Sequence, residues 1–166
     1  MIQRIQSVYL LLAALLLLLL FFVPTASFVM YEGGVAHEIG ILPFGVTDGN
    51  GLESTLIPTI YYGILTALTM LLLLVVIFLF KRRLLQMRLV ISGMVLQLGI
   101  AGYVAYYVYK AYSVVDALRA AASDAVTPVS MSPVCVVPLV TLILSYLAFR
   151  GIVRDEMLIR SLDRIR

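Results

Sequence analysis

Charged residues, cysteine, histidine and tryptophan are all scarce in this 166-residue chain. Only 13% of the residues are charged and 63% are hydrophobic, with one cysteine, one histidine and no tryptophan. Soluble domains carry about 25% charged residues, so the composition excludes a water-soluble globular domain. The lone Cys135 excludes an intramolecular disulfide, and with only His37 a zinc site would need an unusual ligand set. We therefore predict a single integral membrane domain over residues 1–166, with no metal and no cofactor.

Four long stretches have cores that contain no charged residue. A helix needs about 20 apolar residues to cross the hydrocarbon of a bilayer. The alternation expected of barrel strands is missing, and an open strand would leave backbone groups unpaired in lipid, so these stretches must be helices. The predicted spans cover residues 7–28, 58–80, 89–112 and 133–153. The predicted fold is an all-α membrane protein, a bundle of four transmembrane helices.

The basic residues are concentrated in three segments of the chain. Of the twelve Lys and Arg residues, one lies before the first span, four lie in the linker 81–88, and five lie from residue 150 onward. The connections 29–57 and 113–132 hold six of the nine acidic residues. Because basic loops stay in the cytoplasm, we predict that both termini, the linker and the tail 154–166 are cytoplasmic, and that the two acidic connections are outer loops.

The first apolar run has an alternative interpretation as a secretory signal peptide. The stretch 8–23 is slightly longer than a signal core, and "PTAS" at 24–27 is similar to a cleavage site of small residues. The apolar run nevertheless continues to Met30, and Arg4 is the only charge nearby. We therefore predict that the segment is retained as the first membrane helix.

The long first outer loop carries the pattern of a β-hairpin. Two short apolar runs flank Gly33 and Gly34, which is typical of a hairpin turn. An isolated hairpin is marginal in water, so we expect this two- or three-stranded element to rest on the second outer loop. There, Ser132 and Pro133 have the pattern of an N-cap followed by the first residue of the last helix.

Glutamine and glycine are the notable residues inside the predicted spans. Gln97 is the deepest polar side chain, and we interpret it as a hydrogen-bonding link between helices, worth about 1 kcal/mol. A contact with a substrate or partner is the alternative. Gly93, Gly99 and Gly102 lie on the same span and favour close packing of helices.

Tyrosines cluster at the predicted outer ends of the second and third spans. We interpret them as an aromatic belt at the membrane interface, and a ligand groove is the alternative. The cluster comprises Tyr61, Tyr62, Tyr103, Tyr106, Tyr107, Tyr109 and Tyr112.

Arginines on the predicted cytoplasmic side are candidates for contacts with anionic lipid headgroups or with a partner. Acidic residues are interleaved with those of the tail, so we predict no nucleic-acid partner. The candidate residues are Arg4, Arg82, Arg83, Arg154, Arg160 and Arg164.

The two ends of the chain carry its most specific motifs. The N-terminal "MIQRIQSVYLLLAA" and the C-terminal "RGIVRDEMLIRSLDRIR" together resemble an uncharacterised bacterial inner-membrane family with four predicted helices. The resemblance implies an inner-membrane location and a shared cytoplasmic task for residues 3–6 and 154–166. It carries over no catalytic residue, because the family is of unknown function.

Ionisable residues are absent from the cores of the spans, whereas proteins that move ions or protons usually carry them there. The sequence therefore favours a non-catalytic scaffold or accessory subunit that binds another membrane protein. The runner-up is a small transporter or carrier of an apolar or amphipathic compound, which would use the Tyr-rich outer ends. A membrane enzyme is third, because its acidic residues and His37 would have to converge outside the membrane.

Overall fold

The computed structural model describes residues 2–32, 35–47, 59–79, 82–121 and 127–163. The predicted turn at Gly33 and Gly34 lies outside these residues, as does Arg164. The elements, in chain order, are α1 (Ile2–Leu19), β1 (Ala26–Glu32), β2 (Val35–Leu42), β3 (Gly45–Thr47), α2 (Ile60–Phe78), α3 (Arg83–Ala121), β4 (Ser130–Met131), a short 3-10 helix (Pro133–Val136) and α4 (Val137–Asp163).

The first helix differs from the predicted span 7–28 at its C-terminal end. Helix α1 ends at Leu19, turn-like hydrogen bonds continue to Val23, and β1 begins at Ala26. Pro24 explains why the helix does not continue to residue 28, because proline disfavours the α conformation of the residue before it. One apolar run is therefore divided between a helix and a strand.

Three of the helices are long and apolar enough to cross a membrane, counting only the described residues: α2, α3 and the segment that contains α4. The apolar part of α1, Ile5–Leu19, is shorter than these, so four spans remain a prediction. The predicted linker 81–88 is also shorter than expected, because α3 already begins at Arg83. Its Arg, Leu, Gln and Met residues are strong helix formers.

The β element predicted in the first outer loop is a four-stranded antiparallel sheet with the order β3-β2-β1-β4. In its central pair, Ser27 lies opposite Gly40 and Glu32 lies opposite Val35, so two residues connect the strands. Strand β4 comes from the connection between α3 and α4. The hairpin thus rests on the second loop as expected, and it gains a fourth strand there.

Backbone hydrogen bonds tie the sheet to the start of the last helix. Thr25 N–H donates to the Ile41 carbonyl at 2.9 Å, and the Thr25 carbonyl accepts from Ser132 N–H at 3.2 Å. The Ser132 hydroxyl in turn accepts from Val134 N–H, so Ser132 is the predicted N-cap, with Pro133 following it. The cap opens the 3-10 helix, and α4 follows directly at Val137.

The helices form an antiparallel bundle with a buried apolar core. Helix α1 packs against α4 and α2, and α3 packs against α2 and α4. The sheet lies at one end of this bundle, where α1 and α3 end and α2 and the last helix begin. We call this the sheet end. The opposite end holds the start of α1, the α2–α3 connection and the end of α4, and we call it the basic end.

Candidate functional site at the basic end of the bundle

The two end motifs of the chain meet at the basic end. Gln6 on α1 is almost fully buried, and its Nε2 donates to Asp155 Oδ2 on α4 at 2.7 Å. Gly151 makes room for this contact, because a Cβ atom there would lie 2.9 Å from Gln6 Cγ. A partly buried hydrogen bond between residues 149 positions apart therefore joins the "QRIQ" and "RDE" segments.

An open groove of about 550 Å³ lies beside this junction, where α3 begins. Three arginines and one carboxylate contribute to its walls, together with two leucines. We call it the arginine groove, and its lining residues are Arg82, Arg83, Leu84, Leu85, Arg88 and Glu156. It brings the short α2–α3 connection next to the C-terminal part of α4, so two of the three predicted cytoplasmic segments share one surface.

The predicted arginines do not all belong to this groove. Arg82 and Arg83 line it, whereas Arg154 is exposed in a second depression of about 310 Å³ on α4, with Arg150 one turn before it. Arg4 lies in α1 and Arg160 in α4, but their side chains are outside the description. Arg88, which sequence reasoning did not single out, lines the groove because it follows Leu84 and Leu85 by about one helical turn.

The end of α4 also exposes large apolar side chains. Met157 is 61% exposed and Leu158 is 52% exposed. Both lie beyond the predicted span 133–153, at the end of the apolar segment Pro133–Leu158 that is long enough to cross a membrane. Exposed apolar residues next to basic ones are typical of binding surfaces. The basic end is therefore amphipathic as well as charged.

Polar side chains in the middle of the bundle link its helices. Gln97 is fully buried, and its Nε2 donates to the Ser145 hydroxyl of α4 at 3.0 Å. Its Oε1 is buried without a hydrogen-bond partner among the described residues. The buried Thr66 and Thr69 donate instead to carbonyls four residues earlier in α2. Gln97 thus makes the interhelical link expected of it, while Ser145 was missed because serine inside an apolar run gives no positional signal.

The three glycines that were predicted to pack helices have different environments. A Cβ at Gly93 would lie 3.3 Å from side chains of Leu72 and Leu73, so this glycine packs α3 against α2. A Cβ at Gly99 would lie at the same distance from Leu65. Gly102 is exposed, and no neighbouring element of the described chain comes within 4 Å of a Cβ there, so the prediction for it is wrong. Sequence spacing alone did not reveal which face of α3 is covered.

The tyrosine cluster also divides into two sets. Tyr62 and Tyr107 are buried with ring centroids 5.8 Å apart, so they belong to the core and not to an exposed belt. Tyr103 and Tyr106 border a shallow groove of about 330 Å³ over Gly99 and Gly102. This groove opens on the outer face of α3. The exposed remainder of the cluster is Tyr61, Tyr109 and Tyr112.

Metal ligands do not gather in the part of the chain that the structure describes: no three His, Cys, Asp or Glu side chains lie close enough to hold an ion. Cys135 is half-buried, and its thiol donates to the Thr25 carbonyl at 2.8 Å. The thiol therefore links the 3-10 helix to the residue that precedes β1.

These features define a helical-bundle protein with at least three helices suited to a membrane, a small sheet at one end and a basic, amphipathic surface at the other. Residues 2–165 match the family described as a domain of unknown function, DUF4293. The chain belongs to this family, which agrees with the resemblance found in the sequence. A search of curated proteins finds no match to the chain.

Proposed function

We propose that this protein is a non-catalytic bacterial inner-membrane protein with four spans, which acts as a scaffold or accessory subunit for another membrane protein. The observation that carries the proposal is the Gln6–Asp155 hydrogen bond, which joins the two end motifs into one surface. Most of the chain between the two motifs packs the helices of the bundle against one another. We therefore place the contact with a partner protein at the end motifs.

The topology in this proposal has both termini in the cytoplasm. At 1.5 Å per residue, the 18 residues of α1 extend about 27 Å, and the turns that continue to Val23 add to this length. A hydrocarbon core of about 30 Å is within reach of such a segment. The start of α1, the arginine groove and the end of α4 share one end of the bundle, and the positive-inside rule assigns that end to the cytoplasm.

A binding role is supported by the mixed character of the basic end. Arg154 lies beside Met157 on α4, and Met157 is 61% exposed. If the last span ends at the predicted residue 153, Met157 lies outside the hydrocarbon, and covering it with a partner stabilises the complex. The neighbouring arginine would fix the orientation of the partner through its charge. The exposed part of α4 therefore fits a partner with an apolar patch and acidic residues.

Site-specific photo-crosslinking in living cells tests this proposal. A benzoylphenylalanine introduced at Met157 should form one discrete protein adduct, and the same residue at the exposed Tyr109, in α3 toward the sheet end, should form none. The change Gln6→Leu should reduce the Met157 adduct, because it breaks the junction that positions α4. Absence of any adduct at Met157, or adducts of equal yield at both positions, would contradict a scaffold that binds through its basic end.

The groove over Gly99 and Gly102 favours a second candidate, a carrier of an apolar or amphipathic compound. Tyr106 borders this groove and is half-exposed, and Lys110 Nζ lies 5.9 Å from the centre of its ring. The change Tyr106→Ala should then abolish the cellular function without unfolding the protein. Full function of this variant, together with loss of function on deletion of residues 154–166, would favour the scaffold.

A further inference from the structure

The arginine groove combines a strong positive charge with the N-terminus of a long helix. Arg82, Arg83 and Arg88 carry three positive charges around it, and Glu156 contributes one negative charge. Helix α3 has 39 residues and begins at Arg83, so the positive end of its dipole lies at this end of the bundle. The groove is therefore suited to an anion even with Glu156 in its wall.

One guanidinium nitrogen in the groove lacks an acceptor in the part of the chain that the structure describes. Arg83 Nη1 is buried and makes no hydrogen bond among the described residues. A buried donor without an acceptor costs about 1–3 kcal/mol, and more when it is charged. A phosphate oxygen would supply the missing acceptor, and arginine is particularly suited to phosphate because its fork can donate two parallel hydrogen bonds.

Apolar side chains accompany the arginines at the same site. Leu84 is 55% exposed and Leu85 is 40% exposed, and both line the groove. They directly precede the predicted span 89–112. The end of a span lies at the boundary between acyl chains and headgroups. A free phosphate ion would leave these leucines uncovered, whereas a lipid would cover them with its glycerol and acyl chains.

We propose that the arginine groove binds the phosphate of one anionic phospholipid, with Arg82, Arg83 and Arg88 around the headgroup and Leu84 and Leu85 against the acyl chains. This proposal rests on the proposed function in one respect only, the leaflet of the lipid. A lipid of the inner leaflet can reach the groove only if the basic end is cytoplasmic. Binding of a lipid in detergent does not depend on that orientation. Failure of the topology and failure of the lipid site are therefore distinguishable.

Native mass spectrometry of the full chain in mild detergent tests the site. The protein is titrated with dioleoyl phosphatidylglycerol and, separately, with dioleoyl phosphatidylcholine, which has no net charge. We expect one phosphatidylglycerol to be retained in preference to phosphatidylcholine. The triple change Arg82→Gln, Arg83→Gln and Arg88→Gln should lower its affinity roughly a hundredfold, because each basic residue near an anionic headgroup contributes about fivefold.

A matched control separates this groove from a general attraction of positive charge. The double change Arg150→Gln and Arg154→Gln removes exposed basic residues from the second depression and should leave the affinity within about twofold of the wild type. If the triple variant is unstable, the single change Arg82→Gln at an exposed position replaces it, with an expected loss of about fivefold.

Two further arms address the source of the phosphate. The changes Leu84→Ser and Leu85→Ser should weaken the lipid, and millimolar inorganic phosphate should not displace it. Equal retention of both lipids, equal losses in the two sets of arginine variants, or complete displacement by inorganic phosphate would each overturn the proposal.

Discussion

The two ends of this bundle are held together by different kinds of interaction. At the sheet end, strand pairing and backbone hydrogen bonds around Thr25 fix the loops to the start of the last helix. At the basic end, a side-chain hydrogen bond between Gln6 and Asp155 joins the first and last helices beside an open groove. Backbone pairing uses groups that every residue except proline carries, and the side chains of Thr25, Thr127 and Cys135 add hydrogen bonds to backbone groups at the sheet end. The Gln6–Asp155 contact, in contrast, joins two side chains. The sheet end is therefore held mainly through backbone groups, whereas the contact between the first and last helices at the basic end depends on particular side chains.

The largest effect is expected where the sheet end meets α2. A Cβ at Gly63 would clash with the ring of Phe44 and lie 2.6 Å from the Pro43 carbonyl oxygen. Since the backbone would have to shift, Gly63→Ala should lower the free energy of unfolding by about 1–3 kcal/mol. Gly102→Ala is the matched control, because that position is open, and it should remain within about 0.5 kcal/mol of the wild type. Equal losses in denaturant titrations in detergent would show that this close approach is not important.

A smaller effect is expected at the middle of the bundle, between the two ends. The hydrogen bond from Gln97 to Ser145 should give a coupling energy of about 0.6 kcal/mol, and no more than about 1.7 kcal/mol, as for other interhelical bonds in membranes. A double-mutant cycle with Gln97→Leu and Ser145→Ala, monitored by unfolding in detergent, measures it. Additive single effects would mean that Gln97 does not link α3 to α4.

The smallest effect on global stability is expected at the basic end, where the response should be local. Because Asp155 is partly exposed, Gln6→Leu should cost about 0.5 kcal/mol or less. Hydrogen exchange should nevertheless become faster in the first turns of α1 and near Asp155 in α4, while the amides of the sheet keep their protection. A uniform increase of exchange across both ends would contradict the division between them.

The sequence predicted the helices and the hairpin because these depend on local patterns. Hydropathy identified the apolar helices, and Gly33 and Gly34 indicated the antiparallel pair. The end of α1 was placed too late because an apolar run does not distinguish a buried helix from a buried strand. The interruption at Pro24 was the available signal.

The side chains of the candidate site were only partly predictable. The arginines stood out by charge, but the pairing of Gln6 with Asp155 depends on which helices are neighbours, and that is a tertiary property. That Gly102 lies on the exposed face of α3 could not be predicted for a different reason. When lipid and protein neighbours are equally apolar, a helix shows little amphipathic pattern, so the sequence does not report which face is covered.

We propose that the basic end, with the start of α1 and the end of α4, faces the cytoplasm and that the sheet faces outward. Labelling with a membrane-impermeant maleimide in a Cys135→Ser background tests it most directly, using Arg82→Cys at one end and Ser130→Cys at the other, both exposed positions. We expect Ser130→Cys to be labelled in spheroplasts and Arg82→Cys to be labelled only in inverted membrane vesicles. Labelling of Arg82→Cys in sealed spheroplasts, or of both positions from the same side, would contradict it.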